Sequence, residues 1–338
     1  MKRAAALLLA VVVILVLAAV GAVAGLAWIT NRSQVEDAAR AAPAGGSFVK
    51  AADVQIFVQQ AGPADGLPVL FVHGTGAWSE AWREPMNALA KDGRRAIALD
   101  LPPFGFSDRP KPPSYSKADQ GKRIVGVLDA LQIRKAVLVA HSFGGGPAME
   151  AVLAAPGRFQ AVVLVDAALS IAPEGVERVE PPSFLVRTVL DSRTLRETLT
   201  GAFFANPRFT RTLLTRFIDD PARATDDWVE VYRRPLHVAG TTGAVGDWLP
   251  ALLAPGALAA SEKPGSYASL GMPLYLIWGE RDAITPLDQA RRLAKLAPTA
   301  ELTVMKYVGH IPQIEDTRAF TEILRQVVAK ASSPSSNR

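Results

Sequence analysis

Val137-Leu138-Val139-Ala140-His141-Ser142-Phe143-Gly144-Gly145-Gly146 is an apolar, strand-forming run that reaches a serine between small residues and then opens into a glycine-rich helix start. In such a turn, a nucleophile elbow, the serine takes a strained backbone conformation and needs tiny residues two positions away on either side, so that its Oγ projects above the sheet. Ala140 and Gly144 hold those positions. Ala140 stands where the usual pattern has glycine, and its methyl is a small intrusion. A glycine-rich strand-to-helix turn without chemistry has the same local pattern. A phosphate loop does not fit, because the Gly-Lys-Ser/Thr ending is missing.

Outward from this turn, strand-like segments are expected at Val54–Gln59, Pro68–Val72, Arg95–Leu99, Lys135–Ala140 and Ala161–Val165, with a later pair at Leu274–Trp278 and Glu301–Met305. Most are short, continuous runs of Val, Ile and Leu, as in strands covered on both faces. Helical patterns lie between them at Glu80–Lys91, Lys117–Leu131, Gly145–Ala154, Leu287–Ala297 and Thr317–Lys330. Strand and helix in alternation predict a mostly parallel α/β sheet with helices on both faces. After Asp166 the alternation stops, and about a hundred residues read as helices and turns until Pro273. This stretch is expected to be an inserted lid. Its apolar bulk includes Phe184, Leu185, Phe203, Phe204, Trp228 and Trp248, most of which should pack internally while some face a cleft.

Three further motifs accompany the elbow: Phe71-Val72-His73-Gly74-Thr75-Gly76; Asp100-Leu101-Pro102-Pro103-Phe104-Gly105-Phe106-Ser107-Asp108-Arg109-Pro110; and, late in the chain, Trp278-Gly279-Glu280-Arg281-Asp282 with Val308-Gly309-His310. With them the chain from Phe48 to Lys330 resembles the α/β-hydrolase superfamily, lidded serine hydrolase subgroup. Pro103 and Phe104 depart from residues common in that subgroup's loop. The resemblance implies Ser142 as nucleophile, Asp282 as acid and His310 as base, in the Ser, acid, His order of the fold. A serine hydroxyl attacks a carbonyl poorly unless a base removes its proton, and the acid holds that base in one tautomer. The family position further implies the backbone N–H groups of Phe143 and Thr75 as an oxyanion hole, with Gly76 as a substitute for Thr75. Asp166, at the end of a strand, is the competing acid. His141 is expected to form pocket wall, His73 to shape the oxyanion loop by hydrogen bonding, His237 to be packing or surface, and Asp108 and Arg109 to pin their loop.

The whole chain has 338 residues, 49% apolar and 20% charged, with a net charge of +5. It contains no cysteine, which excludes disulfides, thiolate zinc sites and thiol nucleophiles. Its four histidines lack paired metal-ligand spacing, so neither a metal nor a cofactor is expected. Lys and Arg are scattered rather than clustered, which argues against nucleic acid as a partner. The high mean hydropathy of +0.16 is concentrated in an uncharged stretch from Ala4 to Ile29. At 1.5 Å per residue that stretch exceeds the roughly 30 Å hydrocarbon core. It is longer than the usual secretory signal, although Ala22-Val23-Ala24 resembles a processing site. Lys2 and Arg3 before it predict a single-pass anchor with the bulk of the chain on the extracytoplasmic side, and Arg32 after it weakens the asymmetry. The expected organisation is a transmembrane helix at 4–29, a linker at 30–46, a core at 47–168 and 272–331 interrupted by the lid at 169–271, and a disordered tail at 332–338.

A serine in the nucleophile position argues against the halide- and epoxide-processing branches, which use aspartate there. The expected function is membrane-tethered cleavage of a hydrophobic carboxylic ester, with a small hydrophobic acyl compound as substrate. Hydrolysis of a carbon–carbon bond in diketones and cofactor-free perhydrolysis are alternatives within the same machinery. A silent relative binding a hydrophobic ligand or partner protein is an alternative of another class.

Overall fold

The computed structural model describes residues 2–176, 180–254 and 256–332. Eight strands form one sheet: β1 Gly46–Ala51, β2 Val54–Ala61, β3 Pro68–Val72, β4 Arg95–Leu99, β5 Ala136–His141, β6 Phe159–Val165, β7 Leu274–Gly279 and β8 Ala300–Met305. Their spatial order is β1-β2-β4-β3-β5-β6-β7-β8. β1 and β2 pair antiparallel, as do β2 and β4, and every later pairing is parallel. The chain thus reverses its direction of sheet growth between β4 and β5, with β3 and β5 adjacent at the centre.

The continuous apolar strands are continuous because each has two cores to fill. Leu70, Val72, Ile97, Leu99, Leu138, Ala140, Val162 and Leu164 face one side, against Ile124, Val127 and Leu128 of the helix Lys117–Ala130 and Met149 and Val152 of the helix Gly145–Ala154. Their alternates Val69, Phe71, Ala96, Ala98, Val137, Val139 and Val163 face the other, against Met86 and Leu89 of the helix Arg83–Lys91 and Phe320, Leu324 and Val328 of the helix Thr317–Ser332. Fully burying one such side chain contributes about 1.5–3 kcal/mol, so both faces hold the sheet. Between β6 and β7 the described residues contain no named strand, and helices include Phe184–Asp191, Arg193–Leu199, Thr210–Leu214, Asp226–Arg233 and Thr241–Leu253.

β1 is absent from the segments expected to be strands. The hairpin joining it to β2 turns through Ala52-Asp53, with Ala52 in the left-handed region at φ 54°, and carries none of the Asn-Gly or Asp-Gly signal that marks a two-residue turn.

The N-terminal helix runs Lys2–Ser33, farther than the uncharged stretch alone. Its Val11–Ser33 portion, 23 residues containing an 18-residue window of mean hydropathy 2.7, is long and apolar enough to cross a membrane. The following chain differs from a free linker in being docked. Gln34 donates through Nε2 to Thr242 Oγ1 at 2.8 Å and accepts from Thr242 N at 3.0 Å, and Glu36 forms a bridge with Val238. Near the helix end, a Cβ added to Gly201 would lie 3.3 Å from the Ala27 Cα, so the helix leans directly on the insertion. Of the expected tail, residues 333–338 lie outside the described residues.

Candidate active site

β5 ends at His141 and delivers Ser142 at φ 50°, after which a short 3-10 turn enters the helix Gly145–Ala154. A non-glycine residue at this φ is strained, and the surrounding packing maintains it. A Cβ on Gly144 would come within 2.5 Å of the His73 carbonyl oxygen, so only glycine lets the turn close against the end of β3. The loop after β3 approaches equally closely: a Cβ on Gly74 would sit 2.6 Å from His141 Nδ1 and 2.9 Å from Ser142 Cβ.

Three residues distant in sequence meet at this turn. Ser142 Oγ lies 2.8 Å from His310 Nε2, and His310 Nδ1 lies 2.8 Å from Asp282 Oδ2. The spacing suits a neutral imidazole that accepts the serine proton on Nε2 and donates its Nδ1–H to the carboxylate. Asp282 also accepts from the backbone of Ile284 at 2.7 Å and Thr285 at 2.9 Å, and from Thr285 Oγ1 at 2.6 Å. Burial alone would raise its carboxyl, but the hydrogen bond and charge of His310, with hydrogen bonds from Asp166 and Thr285, bring it down to about 2. It is therefore ionised throughout the neutral range.

Asp166, the competing acid, sits directly behind. Its Oδ1 accepts from Gly279 N at 2.8 Å, and its φ is 42°. Ligand atoms of Asp166, Asp282 and His310 lie within 4.8 Å of one another, the one such group among the described residues. This donor set could in principle hold a metal, yet its members are engaged with one another. Burial first, and then the hydrogen bond with Asp282 and its charge, raise Asp166 well above the usual carboxylate range and favour its protonated form. Asp282, rather than Asp166, is the carboxylate in contact with the imidazole.

The remaining polar residues hold the loops. His73 accepts on Nε2 from Leu101 N at 2.8 Å and donates Nδ1–H to the Gly74 carbonyl at 2.8 Å, tying the loop after β3 to the end of β4. His141 donates Nε2–H to the His310 carbonyl at 2.7 Å. Burial lowers His73 to about 4, and burial together with the charge of His310 lowers His141 to about 3. Below about pH 6.5 the unfolded chain takes up a proton that folded His73 refuses until about 4, so stability falls progressively across that window. By about pH 5 this costs about 2 kcal/mol. Urea unfolding of His73→Gln is expected to show a loss between neutral pH and pH 5 that is smaller than the wild-type loss by that amount; equal losses would place a proton on His73 in the fold.

Two supports escape sequence reasoning. Asp100, within the quoted loop motif, accepts from Ser79 N and Phe106 N at 2.7 Å each, and its burial raises it to about 6. Glu315 accepts from Gly309 N at 3.0 Å, Ile311 N at 3.0 Å and Asp219 N at 2.8 Å, and so clamps both flanks of His310 to the insertion. No motif marks Glu315, which looks like any acid at a helix start. Glu315→Ala leaves three backbone donors without their acceptor and is expected to destabilise the protein by about 2–4 kcal/mol in urea titration. Its kcat should fall by more than about tenfold, because a loosened His310 loop misplaces the base. Retained stability and turnover would show that the clamp is dispensable.

Asp108 and Arg109 bind their loop as expected: Asp108 accepts from Gln55 N at 3.1 Å, and Arg109 donates to Gly105 O and Thr241 Oγ1 at 3.1 Å each. His237 is half-buried in the insertion. Ser142 opens onto a cleft lined by Thr75, Gly76, His141 and His310 on the sheet side and by Phe204, Leu213, Leu214, Phe217, Tyr232 and Leu236 of the insertion. Among the described residues, no Lys, Arg, Asp or Glu lines it. Phe143 does not line it; its ring is buried against Phe104 and Trp248, leaving its backbone as the part near the site. Of the insertion aromatics, Phe204 faces the cleft, Trp248 is buried, and Phe184 is 86% exposed.

A strained serine at the carboxyl edge of a parallel sheet, hydrogen-bonded to a late histidine and acid beneath a helical insertion, defines the α/β-hydrolase class of enzyme. The chain belongs to the alpha/beta hydrolase fold family, which matches residues 68–317. It is 31% identical over 272 residues to the 2-hydroxymuconate semialdehyde hydrolase of Pseudomonas sp. (strain CF600), covering 79% of this chain and 88% of that protein. Among solved structures it is similar to the meta-cleavage product hydrolase of Pseudomonas fluorescens IP01, with TM-score 0.65 and 28% identity over 85% of this chain and 98% of that one. The fold of a membrane phospholipase A described as a bacterial virulence factor matches with TM-score 0.66 at 20% identity, over 99% of this chain and 100% of that one.

Proposed function

We propose that this protein is a membrane-tethered serine hydrolase that cleaves an uncharged, hydrophobic carboxylic ester through an acyl-enzyme. The observation that carries this reading is the Ser142, His310 and Asp282 relay opening onto a cleft whose described lining holds no cation or carboxylate. Ser142 attacks the ester carbonyl while His310 takes its proton, and Asp282 stabilises the imidazolium. The backbone N–H groups of Phe143 and Thr75 receive the charge that develops on the carbonyl oxygen. Collapse of the tetrahedral species expels the alcohol, protonated by His310, and water then repeats the sequence to release the acid. The insertion serves as a lid whose apolar side chains exclude bulk water.

Hydrolysis of a carbon–carbon bond is the second reading, favoured by the relatives named for 2-hydroxymuconate semialdehyde and 2-hydroxy-6-oxo-2,4-heptadienoate. Both names denote carboxylates, and burying a carboxylate without a partner is costly. The described cleft offers no Lys or Arg to pair with one. Wild-type protein is expected to react with a fluorophosphonate probe and to hydrolyse p-nitrophenyl esters of medium chain length. No ester turnover together with cleavage of a vinylogous diketone acid would transfer the assignment to the second reading.

In this reading the anchor at 4–29 is uncleaved, and the two basic residues before it favour a catalytic part outside the cytoplasm. The match to the membrane phospholipase A, which covers nearly the whole of both chains, is consistent with this helix being part of the shared architecture. Protease added to intact spheroplasts should digest the C-terminal part; its protection would reverse the orientation.

A further inference from the structure

The insertion wall of the cleft is apolar except at two points. Thr210 opens the helix Thr210–Leu214, and Tyr232 lies in the helix Asp226–Arg233. Thr210 is 5% exposed and Tyr232 is 9% exposed, and both line the same cleft as Ser142. Among the described residues, neither the Thr210 Oγ1 nor the Tyr232 hydroxyl has a hydrogen-bond partner. Around them stand Leu213, Leu214, Phe217 and Leu236, which cannot supply one from their side chains.

An unsatisfied buried hydroxyl costs about 1–3 kcal/mol, a cost that a valine at 210 or a phenylalanine at 232 would avoid with little change of shape. Both residues line one cleft while their oxygens lie just beneath its surface, and a ligand that draws the two hydroxyls out would complete them. Burial raises the Tyr232 hydroxyl above its ordinary range, so it remains a protonated donor rather than an anion. Threonine can donate as well as accept. A carboxylate or phosphate group is a poor occupant, because no Lys or Arg among the described residues lines the cleft to balance it.

We infer that Thr210 and Tyr232 form a polar subsite in the acyl cleft that recognises an uncharged oxygen, a ketone or hydroxyl, carried on the acyl chain of the substrate. This deepens the ester reading and rests on it for the word acyl. The subsite names the substrate class: oxygenated acyl esters rather than plain alkanoates. The apolar walls on either side give the recognition its sharpness, since an oxygen displaced by one carbon along the chain is desolvated without a partner.

Two measurements separate the subsite from the ester reading. The first is wild-type kcat/KM for p-nitrophenyl octanoate and for derivatives with a single ketone at each internal carbon in turn. The second is the Kd of the corresponding methyl esters for the Ser142→Ala protein, which reports binding without turnover. One ketone position is expected to be favoured over the parent by about tenfold or more in both, as one to two neutral hydrogen bonds allow. In Tyr232→Phe and Thr210→Val the ratio of oxo to parent compound should fall, and in the double variant it should approach one. Turnover of the parent with no favoured position, or a preference that survives in the double variant, overturns the subsite and leaves the ester reading standing. A Tyr232-dependent preference in Kd without turnover of any ester supports the subsite and overturns the ester reading. Because the test compares ratios within each variant, a general loss of stability or rate does not imitate the result.

Discussion

Ser142→Ala is expected to lower ester turnover by about 10⁵- to 10⁶-fold and to abolish fluorophosphonate labelling. The hydroxyl that His310 approaches at 2.8 Å is the group the substitution removes, and among the described residues no other hydroxyl is hydrogen-bonded to His310 Nε2. What remains is binding together with the backbone donors around the carbonyl oxygen, which by themselves accelerate the reaction far less. The substitution keeps the Cβ and the strained backbone at φ 50°, so the melting temperature should shift by no more than a few degrees. Residual turnover above about one per cent, after purification from host esterases, would place the nucleophile elsewhere.

The second large effect separates two carboxyls. Asp282→Asn should cost about 10⁴ in kcat, because asparagine can present an amide N–H to His310 Nδ1 and so reward the tautomer that cannot accept the serine proton. Asp166→Asn should cost less than about tenfold. Burial and the neighbouring Asp282 push the Asp166 carboxyl toward its protonated form, which a carboxamide reproduces more closely than an ionised one. With Asp282 held down to about 2, its carboxylate stays ionised beside the imidazole across the neutral and mildly acidic range, where an amide at this position would differ from it most. Equal losses in the two variants would mean that the ionised partner had been misassigned.

Much of this was legible in the chain because it depends on local pattern. β3 and β4 have the bounds that their apolar runs predict, and the helix Gly145–Ala154 begins where the glycines after Ser142 open it. Ser142, His310 and Asp282, separated by 168 and 28 residues along the chain, were recognisable as a set from motif and order, and the sheet brings them together. β1 was not legible, since its hairpin turns on Ala52 without glycine or asparagine. Nor was Glu315, whose role depends on three backbone donors, one of them 96 residues away, that only the folded chain assembles. The unpaired hydroxyls of Thr210 and Tyr232 belong with these: each is an ordinary helical residue until its lack of a partner is seen in three dimensions.

The middle of the insertion is riveted to the histidine loop. His310 N donates to the Phe217 carbonyl at 3.0 Å, Asp219 N to Glu315 at 2.8 Å, and Arg281 pairs with Asp219 at 2.8 Å. The Phe217 ring lies 5.7 Å from the imidazole between centroids. A cover hinged at this seam cannot lift here without dragging the proton acceptor away from its serine. The seam thus serves as an interlock, in which the position of the imidazole and the seating of the insertion are fixed by the same few bonds.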